Sequence, residues 1–101
     1  MSKITTRMKR HVRHVLKDEN PTIWVGKEGL TSPLTAEIEK QLQRNKMVKV
    51  KILPAALQGE VTAQSIAVNA AEQTNSALVE VRGHVFILFR KRKAEEESSQ
   101  P

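Results

Sequence analysis

Cysteine is absent from the 101 residues, which rules out a disulfide framework and a thiolate metal site. Asp18 is the single aspartate, and no serine has a recognisable base near it in sequence. Nucleophilic catalysis therefore has little to work with. Aromatics are few: Trp24, Phe86 and Phe89 are all there are. An extended stacking platform, as single-strand binders often use, is a poor fit, and the two phenylalanines suit a core. No apolar run approaches the roughly 20 residues of a membrane span. The opening segment MSKITTRMKRHVRHVLK is basic but lacks the continuous apolar stretch of a secretory signal. The expectation is a soluble, cytoplasmic protein with one small domain, since a chain of this length buries a modest core and is too short for two.

What the chain has in plenty is positive charge. The formal net charge is +6, and Glu95, Glu96 and Glu97 near the C-terminus hold three of the 11 acids. Residues 1–94 thus carry 17 basic against 8 acidic side chains, a local excess of +9. That excess on so small a domain suits a polyanion, either nucleic acid or an acidic membrane surface; a lysine-rich surface with no ligand is the plainer alternative.

The central stretch is residues 22–44, TIWVGKEGLTSPLTAEIEKQLQR. Thr22, Ile23, Trp24 and Val25 are β-branched or aromatic, as a strand wants. Thr31 or Ser32 can cap the following helix, Pro33 suits its first turn, and Leu34, Ile38 and Leu42 recur on one face. Between strand and helix lies Gly26-Lys27-Glu28-Gly29. Two glycines three apart allow a sharp turn, and a turn feeding a helix start favours an anion through free amides and the helix dipole. Read alone, the same loop serves equally as a simple tight turn, and Glu28 works against an anion.

Around this unit the pattern is regular. Residues 5–18 predict a helix with Met8, Val12 and Val15 or Leu16 as its apolar stripe and Arg7, Lys9, Arg10, Arg13 and Lys17 around the rest. Pro21 ends it. The stripe is too thin for a membrane surface, so the helix should dock on a sheet with its arginines outward. Residues 47–52 alternate, Val48, Val50 and Ile52 one way, Lys49 and Lys51 the other, the period of a half-buried strand. Residues 61–75 predict a third helix that buries Ala63, Ile66, Ala67, Ala70 and Ala71 and stops at Asn75. Residues 77–82 and 85–90 predict a hairpin about Gly83-His84, with the second strand so apolar that it should be central or covered on both faces. The order α-β-α-β-α-β-β indicates an α/β domain over residues 1–93, a mixed four-stranded sheet with helices packed on it. The polar, acidic segment 94–101 reads as a disordered tail.

Specific chemistries fit poorly. A Walker phosphate loop needs Ser or Thr after its lysine and glycine five residues ahead of the Gly-Lys pair; here Glu28 follows Lys27 and Pro21 precedes it. His11 and His14 lie one turn apart but have no evident third ligand; RNA-facing or solvated histidines are the better reading. Glu37 and Glu39 are two apart on a helix and do not share a face. No cofactor, metal, small-molecule substrate or enzymatic activity is expected. The basic helix, Lys27, Lys49, Lys51 and the run Arg90-Lys91-Arg92-Lys93 together fit a nucleic acid read by backbone charge and shape.

Laid out in order, these residues resemble the CRM domain, named for chloroplast RNA splicing and ribosome maturation, in its stand-alone prokaryotic YhbY-like form. The match runs from about Thr6 to Arg92. It is carried by the basic first helix, P-x-x-x-V-G-K-x-G-L-T over residues 21–31, Glu37-Ile38, V-K-V-K-I over residues 48–52, and T-x-x-x-L-V-x-V-x-G with the apolar strand ending in arginine over residues 74–90. The resemblance implies a fold similar to the C-terminal domain of bacterial translation initiation factor 3. It implies RNA binding, with the GxxG loop approaching the RNA backbone as in KH domains, and for stand-alone members a role on large ribosomal subunit precursors. The implied RNA-binding residues are Gly26, Lys27, Glu28 and Gly29 in the loop, flanked by Arg7, Arg10, Arg13, Lys17, Lys49, Lys51, Arg90 and Arg92. Departures are Glu28 inside the loop, Phe89 where relatives often carry tyrosine, and Asn45-Lys46-Met47 in place of a commonly acidic, leucine-containing step. The expected function is binding of structured ribosomal RNA, or pre-50S particles, by a free monomer. A stoichiometric ribosomal protein and a protein-interaction adaptor with a basic face stand as alternatives.

Overall fold

A computed structural model describes residues 5–90; Arg92 and the segment 94–101 lie outside the described residues. Helix α1 (Thr6–Leu16) is followed by β1 (Ile23–Val25), α2 (Ser32–Asn45), β2 (Met47–Ile52), a 3-10 turn (Pro54–Ala56), α3 (Ala63–Gln73), β3 (Ala77–Arg82) and β4 (Val85–Phe89). This is the expected order, and the sheet is mixed as expected: β1-β2-β4-β3, with β1 parallel to β2 and the other neighbours antiparallel.

The helix boundaries follow from local chemistry. Thr5 caps α1 by accepting from the Met8 amide, and Thr31, not Ser32, caps α2 by accepting from the Leu34 amide with Pro33 in the first turn. Thr62 and Ser65 form a reciprocal capping box on α3. At the other ends, Lys46 (φ 69°) and Asn75 (φ 51°) turn left-handed and stop α2 and α3.

Strand β4 lies between β2 and β3 and is apolar on both faces. Phe86 and Leu88 join Ile23, Val25, Val48, Val50 and Ile52 beneath α2 and α3, while Ile87 and Phe89 join Val79, Val12 and Leu16 beneath α1. The alternation of β2 sends its valines to the larger core and Lys49 and Lys51 to the α1 side. In α1, Val12 and Leu16 carry the docking stripe with Met8, and Val15 remains 44% exposed.

Strand β3 departs from simple alternation. Leu78 pairs with Leu88 and Glu80 with Ile87, so Val79 is the extra residue of a β-bulge. The bulge places Val79 and Glu80 together on the α1 side and returns Val81 to the larger core.

Phe86 is fully buried at the centre of this arrangement. Phe86→Ala should lower the free energy of unfolding by about 3–5 kcal/mol, measured by urea denaturation; a loss under about 1 kcal/mol would mean that β4 does not hold the core together.

Candidate nucleic-acid interface

Helix α1 covers the lower part of its sheet face and leaves the upper part open. Between them lies a cleft of about 440 Å³ lined by Arg10, Arg13, His14 and Lys17 from α1 and by Lys49, Glu80, Arg82 and Val85 from the sheet. Five lysines and arginines stand in it against one acid, Glu80. Glu80 lies 3.8 Å from both the Arg13 Nε and the Arg82 Nη2. At that separation, and with the Arg82 side chain 83% exposed, these pairs hold the arginines only weakly. The cleft is a basic trough whose cations are largely free to meet a polyanion.

The Gly26–Gly29 loop stands at the same end of the sheet as the β3–β4 hairpin, whose His84 carbonyl accepts from the Ile52 amide at 2.6 Å. The Gly29 amide donates to the Gly26 carbonyl at 2.9 Å, so this is a closed β-turn with Lys27 and Glu28 exposed at its corners. That amide is used inside the turn, and the Leu34 amide by Thr31, so fewer donors are open to an anion than the sequence pattern suggested. Gly29 is needed for its φ of +72°; a Cβ there would meet nothing within 4 Å, so the outer side of the turn is open to approach.

The structure sorts the expected contact residues. Arg10, Arg13, Lys17 and Lys49 meet in the cleft, and Lys51 adjoins it through its pairing with Val85. Arg7 stands three residues before Arg10 and continues the same helical face. Two of the expected residues are engaged within the fold. Lys49 is turned inward, its Nζ donating to the carbonyls of Leu16 at 3.0 Å and Glu19 at 2.9 Å, where it closes the end of α1. Arg90 is at the opposite end of β4. Its guanidinium is held by Glu39 of α2 and the Thr74 carbonyl, and its backbone amide donates to the Lys46 carbonyl, so it ties three elements together.

His14 and Arg82 also line the cleft, although neither is among the contacts that the resemblance implied. His14 lies one helical turn from both Arg10 and Lys17, a placement legible in the helix period. Arg82 reaches the α1 face because the bulge shifts the register of β3, for which the sequence carries no signal. Trp24 is 52% exposed, whereas Phe86 and Phe89 are buried as expected. Too few aromatics remain for a platform, yet one of the three is presented to solvent.

Among the described residues, no cluster of His, Asp and Glu could hold a metal ion, and no helix is long and apolar enough to cross a membrane.

Known proteins resemble this chain along nearly all of the described part. The family model of the CRS1/YhbY (CRM) domain matches residues 4–90. A protein of Methanocaldococcus jannaschii named a probable RNA-binding protein is 38% identical over 91 residues, 90% of this chain and 66% of the relative, so the chain spans just under two thirds of that relative's length. A Haemophilus influenzae protein named RNA-binding protein is 31% identical over 90 residues, 89% of this chain and 88% of its own length. The solution structure of a Staphylococcus aureus protein superposes with a TM-score of 0.73 at 24% identity, covering 90% of this chain and 92% of that one, a likeness of fold.

Because Lys49 closes α1 rather than facing outward, Lys49→Met should cost about 1–3 kcal/mol through two carbonyls left without their charged donor. Urea denaturation reads the loss. An unchanged midpoint would return Lys49 to the outer surface.

Proposed function

Since the chain belongs to the CRS1/YhbY (CRM) domain family, we propose that it is an RNA-binding protein whose target is structured ribosomal RNA during assembly of the large subunit. The observation that carries the reading is the α1–sheet cleft, where Arg10, Arg13, Lys17 and Arg82 stand against one acid in a groove open to solvent. Relatives 38% and 31% identical to this chain over the matched residues are named for RNA binding. The assembly role rests on the likeness to stand-alone members of the family.

In this mechanism binding is the whole activity. Arg10, Arg13 and Lys17 on α1 and Arg82 on β3 meet phosphates, supplying affinity without reading sequence. The turn at Gly26–Gly29 sets register: Lys27 offers a mobile charge, and the open outer side of Gly29 lets a sugar-phosphate backbone come close. Glu28 beside it disfavours any pose that buries a phosphate between the two corners of the turn. Lys49 and Arg90 contribute through the fold they hold and not by contact.

Crosslinking to RNA in cells, with sequencing of the bound fragments, tests the target. Crosslinks concentrated on one region of large-subunit ribosomal RNA are expected; enrichment of transfer RNA would keep the RNA reading and overturn the assembly role, and no enrichment over background would overturn both.

Two substitutions test the surface in vitro. Removing two phosphate contacts with Arg10→Ala and Lys17→Ala should reduce the slope of log affinity against log salt by about 2. An unchanged slope would place the RNA elsewhere. Gly29→Asp keeps a residue that tolerates the left-handed region and adds a negative charge on the open side. The variant should fold, at a cost of about 1–2 kcal/mol, and bind RNA more weakly; equal binding by the folded variant would remove the turn from the mechanism.

A further inference from the structure

The part of the sheet that α1 leaves open carries one row of side chains across all four strands. Trp24 on β1 pairs with Lys51 on β2, Lys51 with Val85 on β4, and Val85 with Arg82 on β3. Facing residues of neighbouring strands are about 4.8 Å apart, so the row runs roughly 14 Å from the indole to the Arg82 guanidinium stem. Lys51 and Arg82 are exposed, and the row borders the basic cleft directly, since Val85 and Arg82 line both.

Trp24 is placed there by the strand and not by chance. Ile23 and Val25 on either side are buried beneath α2, so Trp24 must point to the opposite face. Helix α1 stops at Leu16 and leaves the indole about half exposed. The other exposed large hydrophobics among the described residues are valines: Val15, Val61 and Val68. Trp24 differs from them in size, in flatness and in its setting among cations. An apolar partner protein would meet Lys51 and Arg82 beside the ring and have to desolvate them, whereas a nucleotide offers a π-face to the indole and a phosphate to each cation.

We propose that Trp24 is a stacking site for one unpaired RNA base, with Lys51 and Arg82 receiving the flanking backbone. The inference rests on the RNA-binding reading above and adds a requirement to it: the preferred target presents an unpaired nucleotide beside the segment held by α1. Stacking on an aromatic ring tolerates any base, so this contact selects for structure and not for sequence.

Trp24 is the sole tryptophan of the chain, so the fluorescence of the full-length protein reports on this residue alone. The probes are a hairpin RNA with an unpaired loop and a blunt RNA duplex with the same number of phosphates. The hairpin should quench the indole and bind more tightly than the duplex. Trp24→Leu keeps an apolar residue in the strand but cannot stack, and should weaken hairpin binding about 10-fold while duplex binding holds. Trp24→Phe should retain most of the hairpin preference. Hairpin binding by Trp24→Leu as tight as that of the unsubstituted protein, or equal quenching by both probes, would overturn the stacking role and leave the basic cleft standing. Failure of both probes to bind the unsubstituted protein would overturn the RNA reading and the stacking site together.

Discussion

The domain depends on one strand being apolar on both sides. Consecutive residues of β4 serve opposite cores: Phe86 and Leu88 anchor α2 and α3, Ile87 and Phe89 anchor α1. Burial of apolar area is the largest favourable term in folding, and here its two halves share a single strand. No cysteine supplements it. The first helix, which carries most of the candidate cations, is therefore fixed to the same strand that organises the rest of the sheet, so the arginines are presented from a packed surface and not from a free arm.

Polar groups complete this frame in ways that remove charges from the surface. The Lys49 ammonium neutralises the carbonyl end of α1, and the Arg90 guanidinium joins α2, the end of α3 and β4. Basic residues thus divide into those that hold the fold and those that face outward. Arg10, Arg13, Lys17, Lys51 and Arg82 belong to the second group, and they share one side of the sheet with Trp24.

Much of this was legible in the chain itself. The strict alternation of Val48, Lys49, Val50 and Lys51 gives β2 its limits, and the continuous apolar run from Val85 to Phe89 marks a strand buried on both faces. The cap of α2 was legible to within a residue, Thr31 over Ser32, whereas α3 begins two residues later than its apolar pattern suggested because Thr62 and Ser65 form the box that starts it. What was not legible has a common cause: side-chain destinations set by tertiary contacts. Alternation sends Lys49 to the α1 face but says nothing of the Leu16 carbonyl at the end of α1 and the Glu19 carbonyl just beyond it, which Lys49 meets there. Arg90 follows an apolar strand and reads as the start of a basic run until Glu39, 51 residues earlier in the chain, is found beside it. Simple alternation along β3 would separate Val79 from Glu80, and only the bulge puts both on one face.

The three-residue strand β1 has hydrogen-bonding neighbours on one side only, yet it supports both Trp24 and the turn at Gly26–Gly29. Short edge strands lie near the low end of local stability. Any ligand that grips the indole or the turn therefore also clamps the sheet margin, and occupancy is thermodynamically linked to closure of that margin. The outer edge of the domain then acts as a latch whose amides exchange with solvent more slowly when the site is filled, including amides that no ligand atom touches.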